Sequence, residues 1–404
     1  MAKSYDFVII GAGIVGLSVA RELNKRHPNS SIVILEKELD IGRHASGRNS
    51  GVMHSGVYYG STTLKAKVCS LGAARMRDFA DEHEISYKKV GKVIIAGSAE
   101  DLPTLDTLLT NAKNNGVKAE RLDVQGVKEI EPYASAYEAG IYCPDTAVID
   151  SKVIIDKLRE ILEEQGVEFV YGAPIRTARP NQCLVETAQG KFSYEFLYNC
   201  AGAGADLIAK MFGHAGDYTL VPFKGIYYKL RVDRRHLVNG NIYPVPNVEL
   251  PFLGVHLTKA INGEVYLGPT AIPALGRENY GIFKGIKLSE SFTIGRQLIS
   301  MYKANRENFR RLAHEEMKKY YKPFFLSAAQ KLIRTLQSGD LESSNKIGIR
   351  PQLVNFKTQT LEMDYIVEKD ERTLHVLNSI SPAFTSSLAL CEYIVDQAEG
   401  TKPV

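Results

Sequence analysis

Three glycines and one carboxylate carry the clearest chemistry in this 404-residue chain. Gly11-Ala-Gly13-Ile-Val-Gly16 follows an apolar run and opens a helical pattern, the arrangement that cradles a dinucleotide pyrophosphate. Gly11 permits the tight turn, Gly13 lets the backbone approach the phosphates at the positive end of a helix, and Gly16 lets helix and strand pack closely. Glu36 stands 25 residues after Gly11, at the end of the next apolar run. A carboxylate there accepts hydrogen bonds from ribose hydroxyls and would repel a 2′-phosphate. Only one such fingerprint occurs, so no second site is left for a separate nicotinamide, which favours FAD. A second glycine turn, Asn199-Cys-Ala-Gly202-Ala-Gly204-Ala-Asp206, follows another apolar strand pattern.

The elements that must hold these turns read as strand, turn, helix, strand. Tyr5–Ile10 is a short β-branched run ending in glycine, hence a buried strand, and Val15–Lys25 has helical spacing at Val15, Val19 and Leu23. Ser31–Leu35 is the second strand. Run-like strands imply a parallel sheet covered on both faces. Residues 40–72 are rich in Gly, Ser and His and lack periodicity until a helix near Leu64–Glu82; a long irregular stretch of this kind is usually functional. Asp150–Gln165 predicts an amphipathic helix on Val153, Ile154, Leu158, Ile161 and Leu162, followed by strands at Val167–Val170 and Phe196–Cys200. Residues 217–275 alternate instead, as in Tyr227–Val232 and Glu264–Leu267, with a hairpin signal at Asn262-Gly263. Residues 286–342 read as helical, and the last 60 return to strands before a closing helix from about Thr385 to Gln397.

This order predicts an α/β protein (α+β overall): a Rossmann-like FAD-binding domain with a second, mostly antiparallel-sheet substrate domain. The cofactor domain is expected in three pieces, 1–85, 145–216 and 343–404, with the substrate domain at 86–144 and 217–342. Hydrophobic content of 44% and charged content of 24% exclude disorder and small disulfide scaffolds. A net charge of +4 is too mild to argue for nucleic acid. Cys69, Cys143, Cys183, Cys200 and Cys391 are scattered, without zinc-ligand or CxxC spacing, so no metal site is expected and the thiols fit a reduced, cytoplasmic protein. The longest uncharged apolar run, Phe7–Ala20, has 14 residues and three glycines, and it reads as neither a membrane span nor a signal-peptide core.

The two glycine turns together resemble the glycine/D-amino-acid oxidase superfamily of flavoenzymes, whose second turn approaches the cofactor from the other side. Further blocks are similar to L-2-hydroxyglutarate dehydrogenases and oxidases: Asn49–Tyr59 with Leu64–Lys67, Val221–Tyr228, Pro251–Thr258, Tyr266–Ala271, Gly348–Pro351 and Asn378–Leu388, all in the same order. The resemblance implies oxidation of a 2-hydroxy acid, L-2-hydroxyglutarate to 2-oxoglutarate, by hydride transfer to flavin N5. Another hydroxy acid or an amino acid on the same fold is the alternative, and the acceptor stays open between oxygen, a quinone and an electron-transfer protein. It also implies FAD contacts at Gly11, Gly13, Ile14, Val15, Gly16, Glu36, Lys37, Ser46, Arg48, Asn49, Ser50, Gly51, Ala201, Gly202, Arg350, Ser381, Ala383 and Thr385.

Such a reaction needs a cation for the α-carboxylate, a base for the hydroxyl proton and a dry site. Arg350 is expected as the carboxylate clamp, since a guanidinium binds carboxylates in a bidentate manner. His54 and His256 are both candidate bases, with His256 favoured as base and His54 as the polarising or positioning partner. The second carboxylate of a diacid calls for another contact, from Lys224 or Arg48, or from a tyrosine among Tyr58, Tyr59, Tyr227 and Tyr228. The start of the last helix, Ser381–Ser386, is expected to aim backbone N–H groups at the flavin pyrimidine edge, unless Ser or Thr simply caps that helix. His44, His54 or Cys69 could bond the flavin covalently, but non-covalent FAD is expected. Residues 303–334 hold nine Lys or Arg against three Glu, with Phe324-Phe325-Leu326 and Leu332-Ile333 as apolar anchors. That segment could lie on an anionic membrane surface, at the inner face and near a membrane quinone.

Overall fold

The structure is a computed structural model that describes residues 1–246 and 252–401. Pro251, the first residue of one family-like block, lies outside the described residues. Two large sheets dominate. In the first, Lys3–Ile10 runs parallel between Ile32–Leu35 and Gly190–Asn199; Glu168–Val170 and Thr373–Val376 extend the parallel set on either side. Alternation decides which face each residue buries. Ile9, Ile32 and Ile34 pack under the helices Ile14–Arg26, Leu64–Glu82, Ser151–Glu164 and Ala383–Glu399. Val8, Ile10, Val33 and Leu35 meet Val185, Phe192 and Leu197 on the opposite face. Both faces being covered, Phe7–Ile10 and Ile32–Leu35 carry no polar alternation.

The second sheet is mostly antiparallel. Its path runs Leu341–Asn355, Tyr218–Leu230, Val265–Gly268, His256–Lys259, Asn241–Pro244, Lys92–Ile95 and Ala139–Cys143. The Asn262-Gly263 turn joins His256–Lys259 to Val265–Gly268. Val93, Ile242, Leu257 and Leu267 point to one side, onto Phe325, Leu332 and Ile333. Burying Phe325 completely is worth about 1.5–3 kcal/mol. The alternating residues, among them Lys92, Tyr243 and His256, therefore face the other way. A small sheet of Val52–Met53, Ala147–Ile149 and Tyr87–Lys89 lies along the path between the two large ones.

Several local expectations change. In the helix Ser151–Glu164, capped by the Asp150 side chain, Val153 is exposed and Ile155 is buried in its place, because the sheet-facing stripe lies one position further round. The strand expected at Tyr227–Val232 ends at Leu230; Val232 opens a 3-10 turn and stands in solvent. The helical stretch stops at Gln330, and by Leu341 the chain is a strand again. The apolar anchors of the basic segment are core residues: Phe325, Leu332 and Ile333 are buried under the second sheet, and of that group only Phe324 is exposed.

Candidate active site

The first glycine turn has the geometry its residues demand. Gly11 has φ +104°, and a Cβ there would sit 2.6 Å from the Cys200 carbonyl oxygen. A Cβ on Gly16 would sit 2.0 Å from the Gly11 oxygen. Gly13 is the N-cap of the first helix and has no side chain with which to cap it; the Ile14 N–H donates instead to Ser46 Oγ at 2.9 Å. The Glu36 carboxylate is buried at the end of its strand and accepts from Ala12 N at 2.7 Å and Glu38 N at 2.9 Å. Both bonds fix the direction of the carboxylate.

The second turn is pinned from below. Asn199 donates to the Ala205 carbonyl and accepts from Ala201 N, leaving Gly202 at φ +52° with open space where a Cβ would be. The loop before the small sheet is fixed by Asn49, which donates to the Ser46 carbonyl at 2.6 Å and accepts from Gly51 N at 2.8 Å. Ser50 accepts weakly from Val52 N. Thr385, in the first turn of the last helix, accepts from His54 N and donates to the Val52 carbonyl, each at 3.2 Å. That helix is N-capped by Pro382, without a side-chain cap, so Ser381 and Ala383 border an uncapped positive helix end.

Two bare glycine turns, a directed carboxylate and an uncapped helix end fit the groups of FAD: pyrophosphate, ribose and the electron-accepting ring edge. The residues that would hold it are Gly11 to Gly16, Glu36, the Ser46–Gly51 loop, Ala201 and Gly202, and the start of the last helix.

Beside this cradle a second group of side chains converges. Lys92, Tyr243, His256, Tyr227 and Arg350 come from the second sheet; His54, Tyr58 and Tyr59 come from the loop facing it. The His256 Nδ1 lies 2.8 Å from the Gly254 carbonyl, and its ring stacks on Tyr243 at 4.0 Å. A carbonyl only accepts, so Nδ1 carries the proton and Nε2 is left as an acceptor. The His54 Nδ1 is buried with no hydrogen-bond partner among the described residues, as are Tyr58 Oη and Lys92 Nζ.

Burial, then the Lys92 charge, His256 and Arg350, hold the His54 imidazole down at about 3. Burial holds His256 down at about 3 as well, against the Gly254 bond and with Arg350 and Lys92 adding to the depression. Both rings are therefore neutral acceptors at neutral pH. Arg350 lies close enough to act on both. It has no hydrogen bond or ion pair among the described residues, so its guanidinium is free for an anion.

The remaining expected residues lie elsewhere. Lys224 alternates to the other face of its strand, where its ammonium donates to Asn279 at 3.1 Å and to the Gly281 carbonyl at 2.7 Å. Arg48 donates to the Arg43 carbonyl and lies over the Tyr280 ring. Lys37 contacts Glu38, His44 and Glu278. These last three converge as metal ligands would, but the Lys37 ammonium already supplies their positive charge. Tyr228 faces the core against Phe325. Burial pushes the Cys69 thiol up to about 12, which leaves it a poor nucleophile.

Lys92 and Tyr243 were not singled out from the sequence. A lysine opening the buried run Lys92-Val-Ile-Ile95 was the available signal, since a charge at a strand position buried on both sides asks for a reason. The buried Arg277–Asp206 pair was also missed; Arg277 further donates to the Ala203 carbonyl, which ties the 276–285 loop to the second glycine turn.

The chain matches the family described as FAD dependent oxidoreductase over residues 6–397. It is 35% identical to the L-2-hydroxyglutarate dehydrogenase of Indibacter alkaliphilus, over 96% of this chain and 98% of that protein. It is 36% identical to the mitochondrial L-2-hydroxyglutarate dehydrogenase of Homo sapiens, over 98% of this chain and 89% of that one. Among solved structures it superposes with TM-score 0.78 on the FAD-bound L-alpha-glycerophosphate oxidase of Mycoplasma pneumoniae, at 19% identity over 98% of this chain and 95% of that chain. With the glycine oxidase of Geobacillus kaustophilus the TM-score is 0.74, at 18% identity over 99% and 95%.

Proposed function

The chain belongs to the FAD-dependent oxidoreductase family, and we propose that it oxidises L-2-hydroxyglutarate to 2-oxoglutarate. The observation that carries this is the Arg350 guanidinium, unpaired among the described residues, beside two neutral, buried imidazoles at the edge of a dinucleotide cradle. The names of relatives matched over nearly the whole chain support the substrate.

FAD, when bound, supplies the acceptor for the hydride that leaves the α-carbon. Arg350 binds the α-carboxylate and so fixes the carbon beside it. The His256 Nε2 takes the hydroxyl proton, because its other nitrogen is committed to Gly254. Stacking on Tyr243 holds the ring plane. The His54 Nδ1, unpartnered among the described residues and within electrostatic reach of His256 and Arg350, orients the substrate or the ring edge. Tyr243 and Tyr227 are buried and Tyr58 and Tyr59 partly buried, an aromatic wall that limits water at the site. In this reading the first sheet and its helices form the cofactor domain, and the second sheet forms the substrate domain. The flavin is non-covalent, His44 being engaged by Glu38 and Tyr280.

Turnover with an artificial dye acceptor tests this: L-2-hydroxyglutarate is oxidised and the D-enantiomer is not. Equal rates with both, or none with either, would contradict it.

A bilayer-surface role has support from one observation. Among the described residues no helix is long and apolar enough to cross a membrane. However, Ile282, Phe283, Leu288, Phe292 and Ile299 are all more than half exposed, next to the exposed Lys284, Lys287 and Arg296. Adjacent apolar and basic side chains suit an anionic lipid surface, and thereby a membrane quinone as acceptor. The docking face in this reading is 282–299, ahead of the basic segment first considered. Flotation with anionic vesicles, lost in a Phe283→Ser/Phe292→Ser double variant, is the expected result; no flotation of the unmodified chain would contradict it.

A further inference from the structure

Lys92 is 1% exposed, and its Nζ makes no hydrogen bond among the described residues. Its ammonium lies over two phenol rings, Tyr58 at 4.4 Å and Tyr243 at 5.5 Å, which attract a cation only weakly compared with a carboxylate. A buried ammonium with no counter-ion carries a desolvation cost of several kcal/mol and needs an anion to offset it.

The other buried amines differ. Lys65 has Asp364, and Lys346 has Asp150 and Glu264, within electrostatic reach though in no ion pair, and Lys224 is hydrogen-bonded to its loop. Lys92 and Arg350 thus form a pair of cations unmatched among the described residues, both within electrostatic reach of His54 and His256. A monocarboxylate held by Arg350 would leave the buried Lys92 without an anion. A dicarboxylate matches both. Tyr58, whose hydroxyl is buried and without a partner, stands next to Lys92 as a further donor.

We propose that Lys92 is the specificity-determining residue for a dicarboxylic substrate, its ammonium holding the distal carboxylate while Arg350 holds the carboxylate beside the reacting carbon. This rests on the 2-hydroxy acid reading above. It transfers the diacid contact from Lys224 and Arg48, which are engaged elsewhere, to a residue on the same sheet face as His256.

The test compares L-2-hydroxyglutarate with L-2-hydroxybutyrate, the same carbon skeleton without the distal carboxylate. The unmodified protein should prefer the diacid in kcat/KM by at least about 100-fold, the scale expected when a buried charge loses its partner. Lys92→Met should lower kcat/KM for the diacid by about 100-fold and change that for the monoacid by less than about 3-fold. Glutarate, which cannot be oxidised, should shift the flavin spectrum of the unmodified protein and not that of the variant. Lys92→Gln gives the same readings should Lys92→Met fail to fold. An unchanged diacid-to-monoacid ratio in a folded, flavin-loaded variant overturns the assignment of Lys92. An unmodified protein that oxidises neither compound overturns the 2-hydroxy acid reading itself, and with it this inference.

Discussion

The His256 imidazole lies against the Tyr243 ring with 4.0 Å between centroids, while its Nδ1 donates to the Gly254 carbonyl at 2.8 Å. Ring plane and tautomer are therefore both set before substrate arrives, and Nε2 is the one nitrogen free to accept a proton. Replacing His256 by Asn should lower kcat by about 100- to 10,000-fold, the usual contribution of a positioned base. Flavin content should be unchanged, because the cradle lies on other elements. Rapid-mixing flavin reduction checks this.

The pH dependence follows from the two buried imidazoles. Each is held at about 3, far below the ordinary 6.5, so neither gains a proton as pH falls from 8 to 5. kcat/KM should stay level across that range, with no acid limb near 6.5. At the alkaline end, burial lowers the Lys92 pKa, so diacid affinity should fall at a pH where an ordinary lysine is still charged.

Folding stability carries the complementary signature. His54, His256 and His375 titrate near 3 when folded and at 6.5 when free. Between those values the unfolded chain binds protons that the folded chain does not. Their contribution is complete above 6.5 and is lost as pH falls toward 3. His375→Gln, which lies away from the substrate face, should flatten the slope of denaturation midpoint against pH in that window.

Much of this was legible in the residues. Gly11, Gly13, Gly16 and Glu36 announced the cofactor cradle because φ restrictions and close backbone approach leave few other residue types there. The strands Lys3–Ile10 and Ile32–Leu35 were legible because a sheet covered on both faces needs apolar runs, as in Phe7–Ile10 and Ile32–Leu35. The contact proposed for the second carboxylate was not. Lys224 and Lys92 are both strand lysines, and only pairing register and alternation show which face each takes. Likewise Phe324 and Phe325 are neighbours in sequence, yet one is in solvent and the other fully buried, a distinction set by the sheet that covers the helix.

Thr385 couples the last helix to the loop that carries His54 through two hydrogen bonds of 3.2 Å. Thr385→Val removes both while keeping the shape, and should cost about 1–3 kcal/mol and shift His54. Thr385→Ser should restore most of the loss. Chemical denaturation of the three proteins checks the order.

Arg277 and Asp206 form a buried ion pair that ties the 276–285 loop to the second glycine turn. Arg277→Met leaves Asp206 buried without its partner, and should cost about 3–5 kcal/mol. FAD should be lost more readily on dilution, since the turn beside Gly202 loses its brace. Thermal unfolding with and without added FAD separates the two effects.

The most direct measurement is anaerobic mixing of the purified flavoprotein with L-2-hydroxyglutarate while the oxidised-flavin band is followed. D-2-hydroxyglutarate, L-lactate and glycine serve as controls. Bleaching by the L-diacid, and by none of the controls at the same concentration, is the predicted result. A yellow protein that stays oxidised with L-2-hydroxyglutarate would contradict it.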